Sequence, residues 1–442
     1  MSTVRFPETD GRPRGGRAVL VGVERKGPAG AWTLQDSLDE LARLAETAGL
    51  AVAASTYQKL ARPNAGTLIG SGKIREIVEL IAATDAGYVL FDEELSPAQQ
   101  RTLSALFGER VCLLDRPRLI LDIFAQHARS REGKLQVELA QYQYLLPRLA
   151  GMRAGLAQQV GGAGAGPVGL RGPGETQLEL DRRQARRRIA ALRAELEEVR
   201  GQRRQHRTHR DRAGFPVIAL VGYTNAGKSS LLNALTGADV LVRDRLFATL
   251  DPTTRRLRLP SGREALLTDT VGFIRKTPHE LVAAFRATLE GIEEASVLLH
   301  VVDSSHAHPA EQIAAVDGVL AGLRVSATPR LLVWNKADLL RQATGFPVLS
   351  PGSGEQALAV SAKTGRGLPE LLLRIEGLLE EGMVDMRILI PYSRYELVRL
   401  IQGRGSVASR EEGPEGAILR VRVPPSLAGL LAPYALDTRG RS

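Results

Sequence analysis

The 442-residue chain has one cysteine, Cys112. A lone thiol argues against a disulfide scaffold and against a cysteine-ligated metal site. No window approaches 18 uninterrupted apolar residues, the length a helix needs to cross a bilayer, so no membrane span is expected. The first residues carry charges where an export signal has an apolar stretch, which predicts a cytoplasmic protein. Lysine is missing from 182–212, where 12 arginines stand against four acids, Glu195, Glu197, Glu198 and Asp211. Arginine pairs bidentately with phosphate and stacks on bases, so this run predicts a nucleic-acid contact. The competing reading is a solvated helix face that keeps the segment soluble. A formal charge of +10 also points to a polyanion, without separating RNA from DNA.

The apolar strand pattern Val217-Ile-Ala-Leu-Val221 runs into Gly222, Tyr223, Thr224, Asn225, Ala226, Gly227, Lys228 and Ser229, which matches G-x-x-x-x-G-K-S. Ser230-Leu-Leu-Asn-Ala-Leu235 then reads as a helix. Glycines here let backbone N–H groups curl around a β-phosphate. Lys228 reaches the β/γ oxygens, and Ser229 can ligate Mg²⁺ at a helix end that favours anions. A nucleoside triphosphate is the predicted ligand. A second apolar strand, Leu331-Leu-Val-Trp334, ends in Asn335, Lys336, Ala337 and Asp338, and Ala357-Leu-Ala-Val360 leads to Ser361, Ala362 and Lys363. The Asp338 carboxylate can accept from guanine N1–H and its 2-amino group, which adenine cannot offer. Asn335 is predicted to tie this loop to the phosphate loop, the Lys336 stem to cover one ring face, and the Ala362 N–H to reach guanine O6. The predicted base is guanine.

Between these motifs, Asp269-Thr-Val-Gly272 matches D-x-x-G: Asp269 would hold the Mg²⁺ shell through water, and the Gly272 N–H would sense the γ-phosphate. In Leu246-Phe-Ala-Thr-Leu-Asp-Pro-Thr-Thr254, Thr249 is the first choice for the second Mg²⁺ hydroxyl, with Thr253 and Thr254 as alternatives. Lys228, Thr249 and Gly272 thus form the predicted catalytic set. A glutamine often follows D-x-x-G to orient water, and here Phe273 stands in its place, so slow intrinsic hydrolysis is expected. Asn225 is a candidate K⁺ ligand, or else simply a polar residue suited to the loop.

The predicted fold is α/β and multidomain. A flexible start (1–17) precedes an N-terminal α/β domain (18–122) and a helical hairpin (123–212). A GTPase domain (213–382) and a small C-terminal α/β domain (383–442) follow. Strand patterns at 18–22, 50–54, 86–90 and 111–114 alternate with helices at 34–48, 73–83 and 97–107. Gly66-Thr-Leu-Ile-Gly-Ser-Gly-Lys73 has the wrong spacing for a phosphate loop; it reads either as a turn presenting Lys73 to RNA or as plain helix entry. Leu135, Leu139, Tyr142, Leu146 and Leu149 make one helical stripe, and Leu178, Ala185, Ile189, Leu192, Leu196 and Val199 another, interrupted by Arg182. Two such stripes pack as an antiparallel hairpin or short coiled coil. Their connector, Gly161 to Gly174, is too glycine-rich to hold one conformation without a partner.

The sequence resembles the HflX family of ribosome-associated GTPases over nearly its whole length. The resemblance rests on Arg171-Gly-Pro-Gly-Glu-Thr-Gln-Leu-Glu-Leu-Asp-Arg-Arg183, Leu246 to Arg255, Asp269-Thr-Val-Gly-Phe-Ile-Arg275 and Ile69-Gly-Ser-Gly-Lys73. It implies GTP and Mg²⁺ as ligands and, as partners, the large (50S) subunit and the 70S ribosome through rRNA and protein, with no DNA. It further implies ribosome-stimulated hydrolysis and the splitting or rescue of 70S particles under stress by a monomer in the cytoplasm. Gly172, Gly174, Glu175 and Arg183 belong to the family signature. Lys73, Arg171, Arg182, Arg183, Arg186, Arg187 and Arg188 are the candidate RNA contacts. The alternative function is a GTP-gated regulatory or assembly scaffold with protein partners and incidental RNA binding.

Overall fold

The computed structural model describes residues 16–25, 32–149, 173–213, 215–238, 246–247, 250–276, 291–323, 325–340 and 356–436. They fall into two compact units. The first takes the chain up to Val199, with the short pieces Asp244–Leu250 and Arg275–Arg286; the second takes the remainder.

The first unit is built on a parallel sheet, in the order β2-β1-β3-β4, of β1 (Arg17–Arg25), β2 (Ala51–Leu60), β3 (Tyr88–Phe91) and β4 (Cys112–Asp115). Crossovers α1 (Leu34–Thr47), α2 (Ser71–Thr84) and α3 (Pro97–Phe107) join them. Ala18 to Val21 are buried on both faces, as an interior parallel strand requires. Both α1 and α3 begin with reciprocal capping boxes, Thr33 with Asp36 and Ser96 with Gln99. The alternation expected from sequence is present, but β2 is longer than the apolar pattern at 50–54. It lies at the sheet edge, and its second half alternates exposed Tyr57 and Lys59 with buried Thr56 and half-buried Gln58 and Leu60, so it shows no apolar run.

Two more helices, α4 (Arg116–His127) and α5 (Arg131–Leu145), follow. Arg116 is fully buried: its guanidinium meets Glu40 at 2.5 Å, Asp92 at 2.6 Å and the Ser37 carbonyl at 3.2 Å. Burial opposes its charge, but the Asp92 and Glu40 carboxylates outweigh that and raise its pKa above the usual guanidinium value. The long helix α6 (Pro173–Ala213) packs Ile189, Leu192 and Leu196 against Leu135 and Leu139 of α5. Tyr142, Leu146 and Val199 flank this seam. These are residues of the two predicted stripes. Connector residues 161–172 lie outside the described residues.

In the second unit, six strands lie in the order β10-β9-β8-β5-β7-β6. They are β5 (Val217–Gly222), β6 (Thr253–Arg258), β7 (Glu264–Asp269), β8 (Val297–Asp303), β9 (Arg330–Asn335) and β10 (Gln356–Ala359). All neighbours are parallel except β6, which runs antiparallel to β7. Helices α7 (Lys228–Thr236), α8 (Pro309–Leu320) and α9 (Leu368–Glu381) belong to this layer. Carboxyl ends of β5, β7, β8 and β9 open on one edge of the sheet, where α/β folds bind ligands. A three-stranded antiparallel sheet, β11 (Val384–Pro391), β13 (Gly416–Val423) and β12 (Ser406–Gly413), closes the unit. Its core joins Ile388, Ile390, Leu419 and Val421 to Val398 of α10 (Glu396–Arg404) and Leu427 of α11 (Pro425–Leu431). Among the described residues no helix is long and apolar enough to cross a membrane.

Candidate nucleotide site

The loop between β5 and α7 is shaped by two glycines that cannot be replaced cheaply. Gly222 (φ 153°) lies against the Val301 carbonyl and Gly227 (φ 90°) against the Asn335 amide, so a Cβ at either would collide. Lys228 opens α7 and is buried; its Nζ donates to the carbonyls of Gly222 (3.2 Å) and Tyr223 (3.0 Å). Burial pulls its pKa down to about 8, with Asp269 acting in the opposite sense. Thr224 Oγ1 is buried with no hydrogen-bond partner among the described residues. A buried cation held only by carbonyls and an unsatisfied buried hydroxyl, both beside helix-end amides, fit an incoming polyphosphate. Asn225 has φ 61°, a left-handed conformation that asparagine tolerates better than most residues, so its place in the loop has a backbone explanation of its own.

Asp269 ends β7, fully buried, and accepts from Ser229 Oγ at 2.6 Å. A hydroxyl and a carboxylate at this spacing suit a hard cation such as Mg²⁺, with phosphate oxygens and water supplying further ligands. Of the threonines considered for the second hydroxyl, Thr249 lies outside the described residues. Thr253 faces Asp269 across the β6–β7 ladder, and Thr254 Oγ1 is 3.0 Å from Thr268 Oγ1. Gly272 is pressed against the phosphate loop: a Cβ there would come within 2.8 Å of Thr224 Cγ2 and 3.1 Å of Lys228 Nζ. Phe273 is buried, and its backbone is zipped to the same loop. Its N–H donates to the Gly222 carbonyl (3.1 Å) and its carbonyl accepts from the Thr224 N–H (2.8 Å). The segment after D-x-x-G is therefore hydrogen-bonded directly to the glycine loop.

On the base side, Asn335 Nδ2 donates to the Ala226 carbonyl at 3.0 Å, and its Oδ1 accepts from the Ala362 N–H at 3.0 Å. One buried amide thus joins three loops. This departs from the expected use of Ala362: its N–H is engaged by Asn335, so donation to guanine O6 has to share or displace that bond. Asp338 is exposed, and its Oδ1 accepts from Ser361 Oγ at 2.6 Å, leaving the other oxygen to face a ligand. Ser361 Oγ also accepts from the Thr364 N–H (3.1 Å), and Lys363 is exposed. Lys336 sits at φ 61° and donates to Asp303 Oδ2 at 2.7 Å. No motif reading picks out Asp303, because it is 33 residues upstream of Lys336 and simply ends an apolar strand.

The candidate RNA contacts are not equivalent. Lys73 is mostly covered and donates to Glu76 (2.7 Å) and Thr56 (3.0 Å). Arg188 makes a two-pronged pair with Glu138 (2.7 and 2.8 Å) and so joins α6 to α5. Arg183, Arg186 and Arg187 are exposed, Arg182 is half-buried, and Arg171 lies outside the described residues. Two pieces of the sequence around the nucleotide motifs also pack within the first unit: Phe247 stacks edge-on with Phe124 (4.6 Å between centroids), and Lys276 pairs with Asp92 and Glu93.

A parallel sheet that delivers glycine loop, D-x-x-G and N-K-x-D to one edge, in this order and linked by Asn335, is the architecture of a phosphate-loop GTPase, an enzyme that hydrolyses GTP. Four family models align along the chain. They are "GTP-binding GTPase N-terminal" at 35–125, "GTP-binding GTPase Middle Region" at 127–210, "50S ribosome-binding GTPase" at 217–336 and "HflX C-terminal domain" at 350–430. A "GTPase HflX" of Caldanaerobacter subterraneus subsp. tengcongensis is 45% identical over 389 residues, 88% of each chain. One from Lacrimispora saccharolytica is 43% identical over 419 residues, 95% of this chain and 96% of that one. The chain belongs to the HflX family of GTPases. Among solved structures, a GTP-binding protein from the hyperthermophilic archaeon Sulfolobus solfataricus in complex with GDP is 25% identical. It aligns with a TM-score of 0.43 over 82% of this chain and 99% of that chain.

Proposed function

We propose that this GTPase is a switch that binds the large ribosomal subunit in its GTP form, splits or rescues 70S ribosomes, and is released after hydrolysis that the ribosome accelerates. The observation that carries the reading is the alignment of residues 217–336 with the 50S ribosome-binding GTPase model, inside a chain whose other regions also match GTPase and HflX models. The formal charge of +10 and the exposed Arg183, Arg186 and Arg187 support a surface for ribosomal RNA. On this reading the protein works in the cytoplasm, on ribosomes.

In the nucleotide site, Lys228 and the loop amides hold the β- and γ-phosphates, and the Gly272 N–H senses the γ-phosphate. Asp338 reads the guanine edge while the Lys336 stem covers the ring. Ser229 and Thr249 would hold Mg²⁺ directly and Asp269 through water; the ion, when bound, neutralises phosphate charge. Asn225 is the proposed contact for K⁺. Phe273 has no polar atom to orient water, so rapid turnover needs the switch segments to be ordered by a partner. Lys73 and Arg188 would have to leave close acidic partners to reach RNA, whereas Arg183 and Arg187 are exposed and Arg186 meets the exposed Glu179 only at 3.9 Å, which makes these three the stronger contacts.

Sedimentation with purified 50S subunits tests the reading. Co-sedimentation is expected with a non-hydrolysable GTP analogue and much less with GDP. Failure to co-sediment in both states would replace the ribosome with a protein scaffold as the output.

A further inference from the structure

We propose that Asp303 is a positioning residue for guanine-nucleotide binding, acting by anchoring the Lys336 ammonium so that its stem stands fixed beside the base. The inference rests on the proposed role of Lys336. Lysine is an unsuitable wall when left alone, because its flexible four-carbon stem has much rotamer entropy to lose. Its backbone here is also left-handed, φ 61°, a conformation unfavourable for an L-residue. Something must hold it. Asp303 Oδ2 accepts from Lys336 Nζ at 2.7 Å, and both side chains are largely covered, 14% and 26% exposed.

Asp303 is itself fixed from two sides. Its Oδ1 accepts from the Ser305 N–H (2.9 Å) and from Ser305 Oγ (2.6 Å), which sets the carboxylate plane. Its backbone lies opposite Asn335 in the β8–β9 ladder, and the next residue, Ser304, donates to the Asn335 carbonyl from both N–H (3.0 Å) and Oγ (2.7 Å). The end of β8 therefore clamps the start of the N-K-x-D loop at two points, through the Asn335 carbonyl and the Lys336 side chain. Anchoring before the ligand arrives removes an ordering cost that binding would otherwise meet.

The test uses the full chain and a fluorescent guanosine diphosphate analogue, with Asp303→Asn, Lys336→Met, the double variant, Ser305→Ala and Lys336→Ala. Each of the first two should weaken binding by roughly 10-fold, the size of one charge-assisted hydrogen bond. The double variant should be no weaker than either single one, since Asp303 acts through Lys336. Ser305→Ala should stay within about twofold of wild type, as it leaves the ion pair in place. Competition by inorganic triphosphate, which has no base, should be unmoved by Asp303→Asn; a collapse of the loop would move it. Wild-type affinity in Asp303→Asn beside a loss in Lys336→Met overturns the proposal but leaves Lys336 on the base. Effects that multiply in the double variant overturn it too. No loss in Lys336→Met, which keeps an apolar stem of similar length, overturns the anchoring alone; no loss in Lys336→Ala removes Lys336 from the base and overturns the underlying reading.

Discussion

At the scale of single residues, the proposed reading of guanine rests on one exposed carboxylate. Asp338 spends one oxygen on Ser361 Oγ at 2.6 Å, which fixes its plane and leaves the other to a base edge. Asp338→Asn replaces an anionic acceptor by an amide that cannot accept from N1–H and the 2-amino group together. Two charge-assisted bonds at about 1.5–3 kcal/mol each predict a fall in GTP affinity on the order of 10²–10⁴. Competition binding reads this as a collapsed GTP/ATP affinity ratio; an unchanged ratio removes Asp338 from base recognition. The candidate role of Asp338 could be proposed from sequence because N-K-x-D is a local pattern at a strand end. Asp303 was not, since nothing within several residues of it marks a partner that the sheet brings alongside.

At the scale of elements, β8 shows how a buried strand makes a polar residue answer to its surroundings. His300 lies in Val-Leu-Leu-His-Val-Val-Asp, is 1% exposed, and its Nδ1 has no hydrogen-bond partner among the described residues. Burial lowers its pKa from 6.5 to about 4; Arg330 and Lys228 add to the effect and Asp317 opposes it. The folded form therefore keeps His300 neutral while the unfolded chain takes up a proton below about pH 6.5. Its contribution to stability is complete above pH 6.5 and is lost as the pH falls toward 4, by about 3 kcal/mol over the whole range. Urea unfolding at pH 7.5 and pH 5 should show His300→Leu losing about 2 kcal/mol less than wild type between the two. Equal losses would mean that His300 does not carry this proton linkage. Elements buried on both faces, such as β5 and β9, were readable as apolar runs. The edge strand β12, Ser-Val-Ala-Ser-Arg-Glu-Glu-Gly, was not: it is mostly exposed and gains its strand character by pairing with β13.

At the scale of the molecule, the glycine loop, Asp269 to Gly272 and Asn335 to Asp338 lie in the second unit, whereas the exposed arginines of α6 before Val199 belong to the first. A charge-based RNA contact and the phosphate loop should therefore separate experimentally. Changing Arg183, Arg186 and Arg187 to glutamine should lower 50S-stimulated hydrolysis and reduce the salt dependence of 50S binding by about one unit of slope per lost phosphate contact. Affinity for the free nucleotide should not follow. Stimulation and salt slope equal to wild type would make these arginines a solvated face and place the ribosome contact elsewhere.

What the sequence determined by itself is the chemistry that depends on neighbours along the chain. A glycine loop before a helix, a carboxylate at a strand end and an arginine-rich helix can each be recognised from a short stretch of chain, because backbone geometry and charge density are local properties. The tertiary structure alone decided which groups are already engaged. Asn335 reaches Ala226 across 109 residues, Lys336 is held by Asp303, Lys73 by Glu76 and Arg188 by Glu138. Hydrogen bonds and ion pairs form according to distance in space and access to water, and the sheet order and helix packing that set both are written only in the folded chain.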